Sequence, residues 1–182
     1  MRNMTQDTTV ILVDENDNKL GYDKKEVCHM GNGKHHRAIA IFIFNEKGQT
    51  LLQRRKHKRF DNVWDTAGAT DVLHIDGHDE SYEESGSRCM KKEWNTDVKL
   101  EKLFGFNYFE KYKDMCENEF CMMLAGRADE SIEFNSEVAY GSKWISMEEL
   151  AWDVENNPQD YTPWAIIAVE EFMKRPEGKK FL

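Results

Sequence analysis

The chain has 182 residues, 40% hydrophobic and 12% aromatic, which indicates a globular protein with a sizeable core rather than a disordered chain. Its formal net charge of −9 argues against general nucleic-acid binding, and no apolar run approaches the roughly 20 residues of a membrane-spanning helix. Residues 1–7 show no signal peptide and the four cysteines show no Cys-x-x-Cys spacing, so we expect a reduced cytoplasmic protein, a single domain over residues 1–182, as a monomer or homodimer.

The first part of the chain is a series of short apolar runs separated by turn signals. Residues 37–44 (RAIAIFIF) are almost uniformly apolar, which is typical of a central strand buried on both faces. A turn at residues 45–48 leads into residues 50–54, which we predict to form a hairpin with that strand. An earlier apolar run lies at residues 8–14, and further turn signals lie at residues 15–18 and 31–33.

Basic side chains are concentrated at residues 54–59 (RRKHKR). Because the chain as a whole is acidic, an anionic substrate would need a local positive site, and this run is the candidate. The alternative interpretation is a solvated hairpin tip, which is the usual role of an isolated basic run.

The stretch of residues 64–96 organises the rest of the chain. An extended run ends at WDTAG, a polar loop follows, and a helix then begins where Ser81 and Glu84 form a capping box. Glu84 and Arg88 should lie one turn apart on this helix. A glycine, a loop and a carboxylate-rich helix are the layout of a site that holds a divalent cation against a diphosphate. The alternative is an amphipathic surface helix with ordinary charge pairs.

The last part of the chain should add strands and two helices. Ser146 and Glu149 form a second capping box. The final helix should begin with Thr162 as N-cap and Pro163 at its first position, and Pro176 should stop it. We predict strands at residues 102–109, 117–125 and 143–146, and helix ends near residues 154 and 174. The expected architecture is α+β, a mixed sheet between helices.

Two carboxylates at the start of a predicted strand give the strongest chemical signal. Glu117 and Glu119 share one face of the strand, and burying both is costly unless they are paired or bind a metal. His29 and His36 are the expected partners, since imidazole plus carboxylate suits zinc, manganese or magnesium. The alternative is two exposed carboxylates at a strand edge and two unrelated histidines.

The helical stretch resembles the Nudix box, G-x5-E-x7-R-E-U-x-E-E-x-G-U, in which U is a bulky aliphatic residue. With Glu80 as its first Glu, Arg88 falls on the Arg and Glu93 on the second Glu of the pair. The resemblance implies that Glu93 holds a magnesium ion on a diphosphate. Departures from the pattern are Cys89 for Glu, Lys92 for the first Glu of the pair, Asn95 for Gly and His74 at the initial Gly.

Over roughly residues 8–175 the chain is similar to the type I isopentenyl-diphosphate isomerase branch of the Nudix superfamily. His29 and His36 match two histidines seven apart, and Glu117-Asn118-Glu119 matches an E-N-E triplet. The resemblance implies a Nudix-type mixed β-sheet sandwiched between α-helices. It also places Lys25 and Arg55 on the diphosphate-binding residues, Tyr108 on an upstream Tyr, and Thr162-Pro163-Trp164 on a C-terminal Ser/Thr-Pro-Trp.

Two residues depart from the isomerase pattern at its reacting groups. That branch draws its acid and base from a Cys in a C-G-H motif, after a W-T-N-S segment, and from the second Glu of E-N-E. Ala69 stands at the Cys position, and alanine cannot transfer a proton. Asp71 replaces the His ligand but can still bind a metal. The cysteines, at 28, 89, 116 and 121, lie elsewhere and are expected to be small buried hydrophobes.

We therefore predict a divalent-metal-dependent Nudix hydrolase of a small organic diphosphate, prenyl or nucleoside. The alternatives are isomerisation of isopentenyl diphosphate with a non-Cys acid, and a non-catalytic diphosphate- or metal-binding module. The expected cofactor is Mg²⁺ or Mn²⁺, with Zn²⁺ as an alternative at the His/Glu site, and no nucleic-acid or membrane partner is expected. The predicted residues are catalytic Glu119, Glu93, Tyr108 and Trp164; substrate-binding Lys25, Arg55, Lys58 and Arg88; and metal-binding His29, His36, Asp71, Glu117, Glu119 and Glu93.

Overall fold

The computed structural model describes residues 8–182, so the expectation about residues 1–7 lies outside the described part. Its eleven strands form one mixed sheet with helices on both faces, which confirms the predicted α+β class. The strands are β1 (Thr9–Val13), β2 (Lys19–Lys24), β3 (His36–Phe44), β4 (Thr50–Arg55), β5 (Trp64–Asp65), β6 (Gly68–Asp71), β7 (Leu73–Ile75), β8 (His78–Asp79), β9 (Glu101–Tyr112), β10 (Met115–Arg127) and β11 (Ala139–Ile145). The α-helices are α1 (Lys25–Cys28), α2 (Tyr82–Trp94), α3 (Met147–Asn156) and α4 (Pro163–Lys174), with short 3-10 helices at Pro158–Asp160 and Lys179–Phe181.

Strand β3 is the centre of the sheet, as its apolar sequence predicted. It pairs in parallel with β10, antiparallel with β6 and, at its end, antiparallel with β4. Its alternating residues enter two separate cores: Phe42 packs with Phe172 of α4, whereas Ile41 belongs to the cluster that contains Met90 and Trp94 of α2. Both faces of β3 are therefore buried, and the sheet separates α2 from α3 and α4.

The helices begin where the capping signals predicted. In α2 the Ser81 hydroxyl accepts from the Glu84 amide at 3.1 Å, and the Glu84 carboxylate accepts from the Ser81 amide at 2.7 Å. An equivalent box opens α3. Thr162 stands at the N-cap of α4, but its hydroxyl makes no capping bond; it donates to Asp65 instead, at 3.0 Å.

The prediction of a polar loop after Gly68 is wrong in part. Residues 68–71 form β6, because their backbone groups pair with β3 from Ile41 to Ala38. Strand β7 continues the sheet by pairing with β1 and, through a tight hairpin, with β8. The four cysteines are free and buried, as expected. Within residues 8–182, no helix combines the length and the hydrophobicity that crossing a membrane would require.

Candidate metal and diphosphate site

Four buried side chains meet at one end of the central strands. A nitrogen from each of His29 and His36 and an oxygen from each of Asp71 and Glu119 all lie within 4.8 Å of one another. The sheet builds this cluster, since Glu119 of β10 lies opposite His36 in the parallel register. Asp71 lies opposite Ala38 at the end of β6, and His29 follows α1. Residues from four chain segments therefore present nitrogen and oxygen atoms to one small space.

The two imidazoles are oriented as metal ligands. Nδ1 of His29 lies 2.8 Å from the Lys25 carbonyl oxygen, and Nδ1 of His36 lies 2.7 Å from the Lys34 carbonyl oxygen. Because a carbonyl oxygen only accepts, each Nδ1 carries a proton, and Nε2 is the ring nitrogen that faces the carboxylates of the cluster. Nε2 of His29 is buried and lies 3.0 Å from Glu117 Oε2 and 3.5 Å from Asp71 Oδ1, and Nε2 of His36 lies 3.0 Å from Asp71 Oδ1. Two ring nitrogens and two carboxylate oxygens within 4.8 Å of one another are a donor set that fits a divalent ion.

Glu119 is held by its aromatic neighbour on β9. The Tyr108 hydroxyl donates to Glu119 Oε2 at 2.5 Å, and both groups are buried. Burial, with Glu117 and Asp71 nearby, raises the pKa of Glu119 well above its usual range. Burial would also raise the pKa of Asp71, but the Lys25 ammonium and His36 hold it well below its usual range. Ionising these carboxylates together therefore requires added positive charge.

Glu117 shares the face of Glu119, as the strand period predicted, but it is held differently. Its Oε1 lies 2.9 Å from Nε of Arg59, and its Oε2 lies 3.0 Å from Nε2 of His29. Although burial opposes it, the contacts with His29 and Arg59 lower the pKa of Glu117. Glu117 thus lies beside the four-residue cluster and is shared between an imidazole and a guanidinium.

The cluster opens into a pocket with a cavity volume of about 130 Å³ that is walled by cations. Several of these cations are paired with carboxylates. Lys25 contacts Asp71 and Arg55 contacts Asp65, whereas Arg88 pairs with Glu80 rather than with Glu84, one turn away. The predicted substrate-binding residues Lys25, Arg55 and Arg88 all line this pocket.

The basic run at residues 54–59 contributes some of its side chains to the pocket and not others. Arg55 and Arg59 line the pocket, whereas Lys58 is exposed and does not. The sequence prediction chose Lys58 and missed Arg59, because residues 56–59 lie in an irregular loop where no strand period sets side-chain direction. The run is therefore a pocket wall on one side and a solvated loop on the other.

Glu93 of α2 lies on another wall of the pocket, outside the four-residue cluster. The Gln53 amide donates to its Oε2 at 2.6 Å, and burial raises the pKa of Glu93 to about 6. Helix α2 approaches closely here because Gly68 has no side chain. A Cβ at position 68 would lie 2.7 Å from Cys89 Sγ and 3.3 Å from Glu93 Oε2.

The remaining part of the pocket wall consists of two aromatic rings and one small side chain. The Tyr108 and Trp164 ring centres lie 6.2 Å apart, and Ala69 lines the same pocket. The Trp164 indole nitrogen donates to Asp65 at 2.8 Å. Sequence reasoning missed Asp65, although a carboxylate inside an extended run beside a tryptophan was a usable signal, because a buried carboxylate demands partners.

Sequence comparison shows the family to which the chain belongs. Residues 34–165 match the NUDIX domain family. The chain is 34% identical over 164 residues to isopentenyl-diphosphate Delta-isomerase 2 of Aromatoleum aromaticum, covering 88% of this chain and 84% of that protein. It is 28% identical over 171 residues to the isopentenyl-diphosphate Delta-isomerase of Serratia proteamaculans, with 91% of each covered.

Solved structures share the fold. DR0079 from Deinococcus radiodurans superimposes with a TM-score of 0.71 at 21% identity, over 90% of this chain and 98% of that chain. The MutT protein of Methanosarcina mazei Go1 gives a TM-score of 0.61 at 17% identity, over 77% of this chain and 94% of that chain. At these identities the likeness concerns the arrangement of sheet and helices alone.

Proposed function

The chain belongs to the Nudix family of enzymes, and from that premise we propose that it hydrolyses a small organic diphosphate with the help of a divalent metal ion. One observation carries the proposal. A buried His/His/Asp/Glu cluster, with its nitrogen and oxygen atoms within 4.8 Å of one another, adjoins a pocket walled by Lys25, Arg55 and Arg59. Cation-binding and anion-binding groups on one cavity suit a diphosphate bound together with a metal.

We assign the metal to His29, His36, Asp71 and Glu119, with Glu93 as a separate ligand on the opposite wall. A bound Mg²⁺ or Mn²⁺ would neutralise charge on the diphosphate as its P–O bond breaks. Two imidazoles with carboxylates also suit Zn²⁺ at the first site. The burial of all four side chains supports the assignment, since so many polar and charged groups buried together are costly unless they are paired or bind a metal.

The chain's own groups divide the remaining work. Arg55 and Lys25 bind the diphosphate oxygens, because both residues line the pocket and carry a positive charge. Glu119 is our candidate for the base that accepts a proton from the attacking water. Its Oε2 accepts a hydrogen bond from the neutral Tyr108 hydroxyl, whereas Glu117 forms an ion pair with Arg59, and that positive charge makes its carboxylate a weaker base.

The organic group of the substrate would lie against the aromatic wall. Tyr108 and Trp164 offer ring faces suited to an alkenyl chain or a planar base. A cavity of about 130 Å³ is small beside the few hundred Å³ typical of ligand pockets, so it favours a short chain over a whole nucleoside.

Hydrolysis is preferred to isomerisation because of Ala69. Moving a carbon–carbon double bond requires protonation on one face and deprotonation on the other, and Ala69 offers no proton where the isomerase pattern has a thiol. Isomerisation of isopentenyl diphosphate remains the second candidate, supported by the names of the curated relatives. In that reaction Glu119 would serve one face and Trp164 would stabilise the cationic intermediate.

The experiment is phosphorus and proton NMR of the purified protein with Mg²⁺ and, in separate samples, isopentenyl diphosphate, dimethylallyl diphosphate and a nucleoside diphosphate. We expect release of phosphate or pyrophosphate from at least one of them, abolished by EDTA and restored by Mg²⁺ or Mn²⁺. Rapid appearance of dimethylallyl diphosphate from isopentenyl diphosphate, with the diphosphate intact, would refute the hydrolase proposal in favour of the second candidate.

A further inference from the structure

Asp65, at the end of β5, is a fully buried carboxylate outside the metal cluster. It directly follows Trp64, at the place where the W-T-N-S segment of the isomerase pattern has an uncharged Thr. Burying a carboxylate costs several kcal/mol unless hydrogen bonds and a counter-charge compensate it. A charge at this position therefore has to be explained by its partners.

The partners of Asp65 come from three parts of the chain. Its Oδ1 accepts from the Thr66 amide at 2.8 Å, the Thr162 hydroxyl at 3.0 Å and the Trp164 indole nitrogen at 2.8 Å. Its Oδ2 accepts from Nη1 of Arg55 at 2.7 Å. One carboxylate thus connects two elements. Its Oδ2 binds Arg55 at the end of β4, and its Oδ1 binds Thr162 and Trp164 at the start of α4.

Two of these partners are walls of the pocket. The Arg55 guanidinium carbon lies 5.1 Å from the centre of the Trp164 ring, and both residues line the cavity beside the metal cluster. Nε of Arg55 is buried without a hydrogen-bond partner. Asp65 therefore occupies one amino group of the guanidinium, while another of its N–H groups is left for a ligand.

We propose that Asp65 is a positioning residue of the diphosphate subsite, which fixes Arg55 against Trp164 so that the guanidinium meets the anion in a set orientation. The proposal rests on the proposed function, because it assumes that the pocket binds a diphosphate. An arginine held in advance by a second carboxylate loses less rotamer entropy on binding than a free one. Asp65 does not line the pocket, so it acts on a bound anion through Arg55, the partner that carries the positive charge.

The substitution Asp65→Asn separates this role from simple packing. Asparagine has the same shape, and its oxygen can keep the bonds from Thr162 and Trp164. Its amide group, however, is a donor facing the donor Nη1 of Arg55, so it releases the guanidinium. Binding of inorganic pyrophosphate in the presence of Mg²⁺, measured by calorimetry, should weaken about tenfold or more.

A double-mutant cycle tests whether the effect passes through Arg55. In the Arg55→Ala background, Asp65→Asn should change pyrophosphate affinity less than twofold. An equal loss in both backgrounds would overturn the proposal, because Asp65 would then act independently of Arg55. The matched control is Asp17→Asn, which breaks an Arg37–Asp17 pair of 2.6 Å outside the pocket and should leave pyrophosphate affinity unchanged.

The outcomes also separate this proposal from the function itself. Absence of pyrophosphate binding by the wild-type protein would overturn both, whereas wild-type binding with an unaffected Asp65→Asn variant would overturn only the role of Asp65. Should Asp65→Asn melt too low to measure, Asp65→Thr replaces it, since that change restores the residue of the isomerase pattern and removes the buried charge. The same tenfold loss is expected, and undiminished binding by the folded Asp65→Thr variant would contradict the proposal.

Discussion

Nε2 of His36 lies 3.0 Å from Oδ1 of Asp71, while Nδ1 of the same ring is committed to the Lys34 carbonyl. The geometry brings an imidazole nitrogen and a carboxylate oxygen together inside the protein. A cation bound by both groups would stabilise this contact, so substituting either residue tests the metal site directly.

His36→Ala should therefore weaken binding of Mn²⁺ about tenfold or more, because it removes a ligand atom from the cluster. Isothermal titration with MnCl₂ and elemental analysis after dialysis measure the loss. His74→Ala is the matched control, since His74 pairs with Asp79 and lies outside the cluster. Identical metal content in the two variants would refute the site.

Arg55→Ala should weaken diphosphate binding about tenfold or more, since charge-assisted hydrogen bonds contribute about 1.5–3 kcal/mol each. Calorimetry with a non-hydrolysable methylene diphosphonate measures this directly. Arg54→Ala is the control, because Arg54 contacts Asn62 and Trp64 and does not line the pocket. Equal losses in the two variants would mean that the basic run attracts anions only through its overall charge.

Ala69→Cys should not restore full isomerase activity, although it returns a thiol to the pocket wall. Asp71 still stands where the isomerase pattern has a His ligand, and it contacts the Lys25 ammonium. Proton NMR of isopentenyl diphosphate should show slow conversion at most, with faster conversion by the double variant Ala69→Cys/Asp71→His. The control Ala69→Ser adds a hydroxyl of similar size but poor acidity, and full activity with serine would show that an acid at position 69 is not the limiting factor.

Glu93→Gln should stabilise the metal-free protein increasingly as the pH rises. The pKa of Glu93, raised to about 6 by burial, lies above the ordinary 4.5, so the folded state holds this proton more tightly than the unfolded state. The stability that Glu93 contributes is therefore present below pH 4.5 and lost as the pH rises through 6. At about 1.36 kcal/mol per unit, the free energy of unfolding of the variant relative to wild type should rise by about 2 kcal/mol.

Urea denaturation in EDTA at pH 4.5 and 7.5 measures that difference. Glu80→Gln provides a control of opposite sign. Although burial opposes it, the contacts with Arg88 lower the pKa of Glu80, so its contribution is present above pH 4.5 and lost as the pH falls. The Glu80 variant should therefore lose stability relative to wild type as the pH rises, and a shared sign for both variants would contradict the assignment.

The frame of the fold was predictable because its signals are local. An eight-residue run that is apolar except for Arg37 predicted a strand buried on both faces, as β3 is, and the two serine–glutamate capping boxes marked the starts of α2 and α3. The grouping of Glu117 and Glu119 on one face followed from the strand period. These inferences needed no knowledge of distant neighbours.

What escaped prediction depended on which partner a side chain selects in three dimensions. Thr162 is the N-cap residue of α4, yet its hydroxyl makes no capping bond and donates to Asp65, 97 residues away in the chain. Arg88 has Glu84 one turn away but binds Glu80. The short strands β5 to β8 hold two to four residues each, too few for an alternating pattern to be recognised.

The parallel pairing of β3 with β10 has a consequence for the order in which the molecule assembles. His36 and Glu119 face each other across this pairing, and the neighbouring pair His35 and Asn118 is 83 residues apart in the chain. Contacts of such long range form late, after local hairpins and helices, because the entropy of closing a long loop must first be overcome. The complete metal site therefore requires β3 and β10 to be paired, and metal capture reports that this part of the sheet has formed.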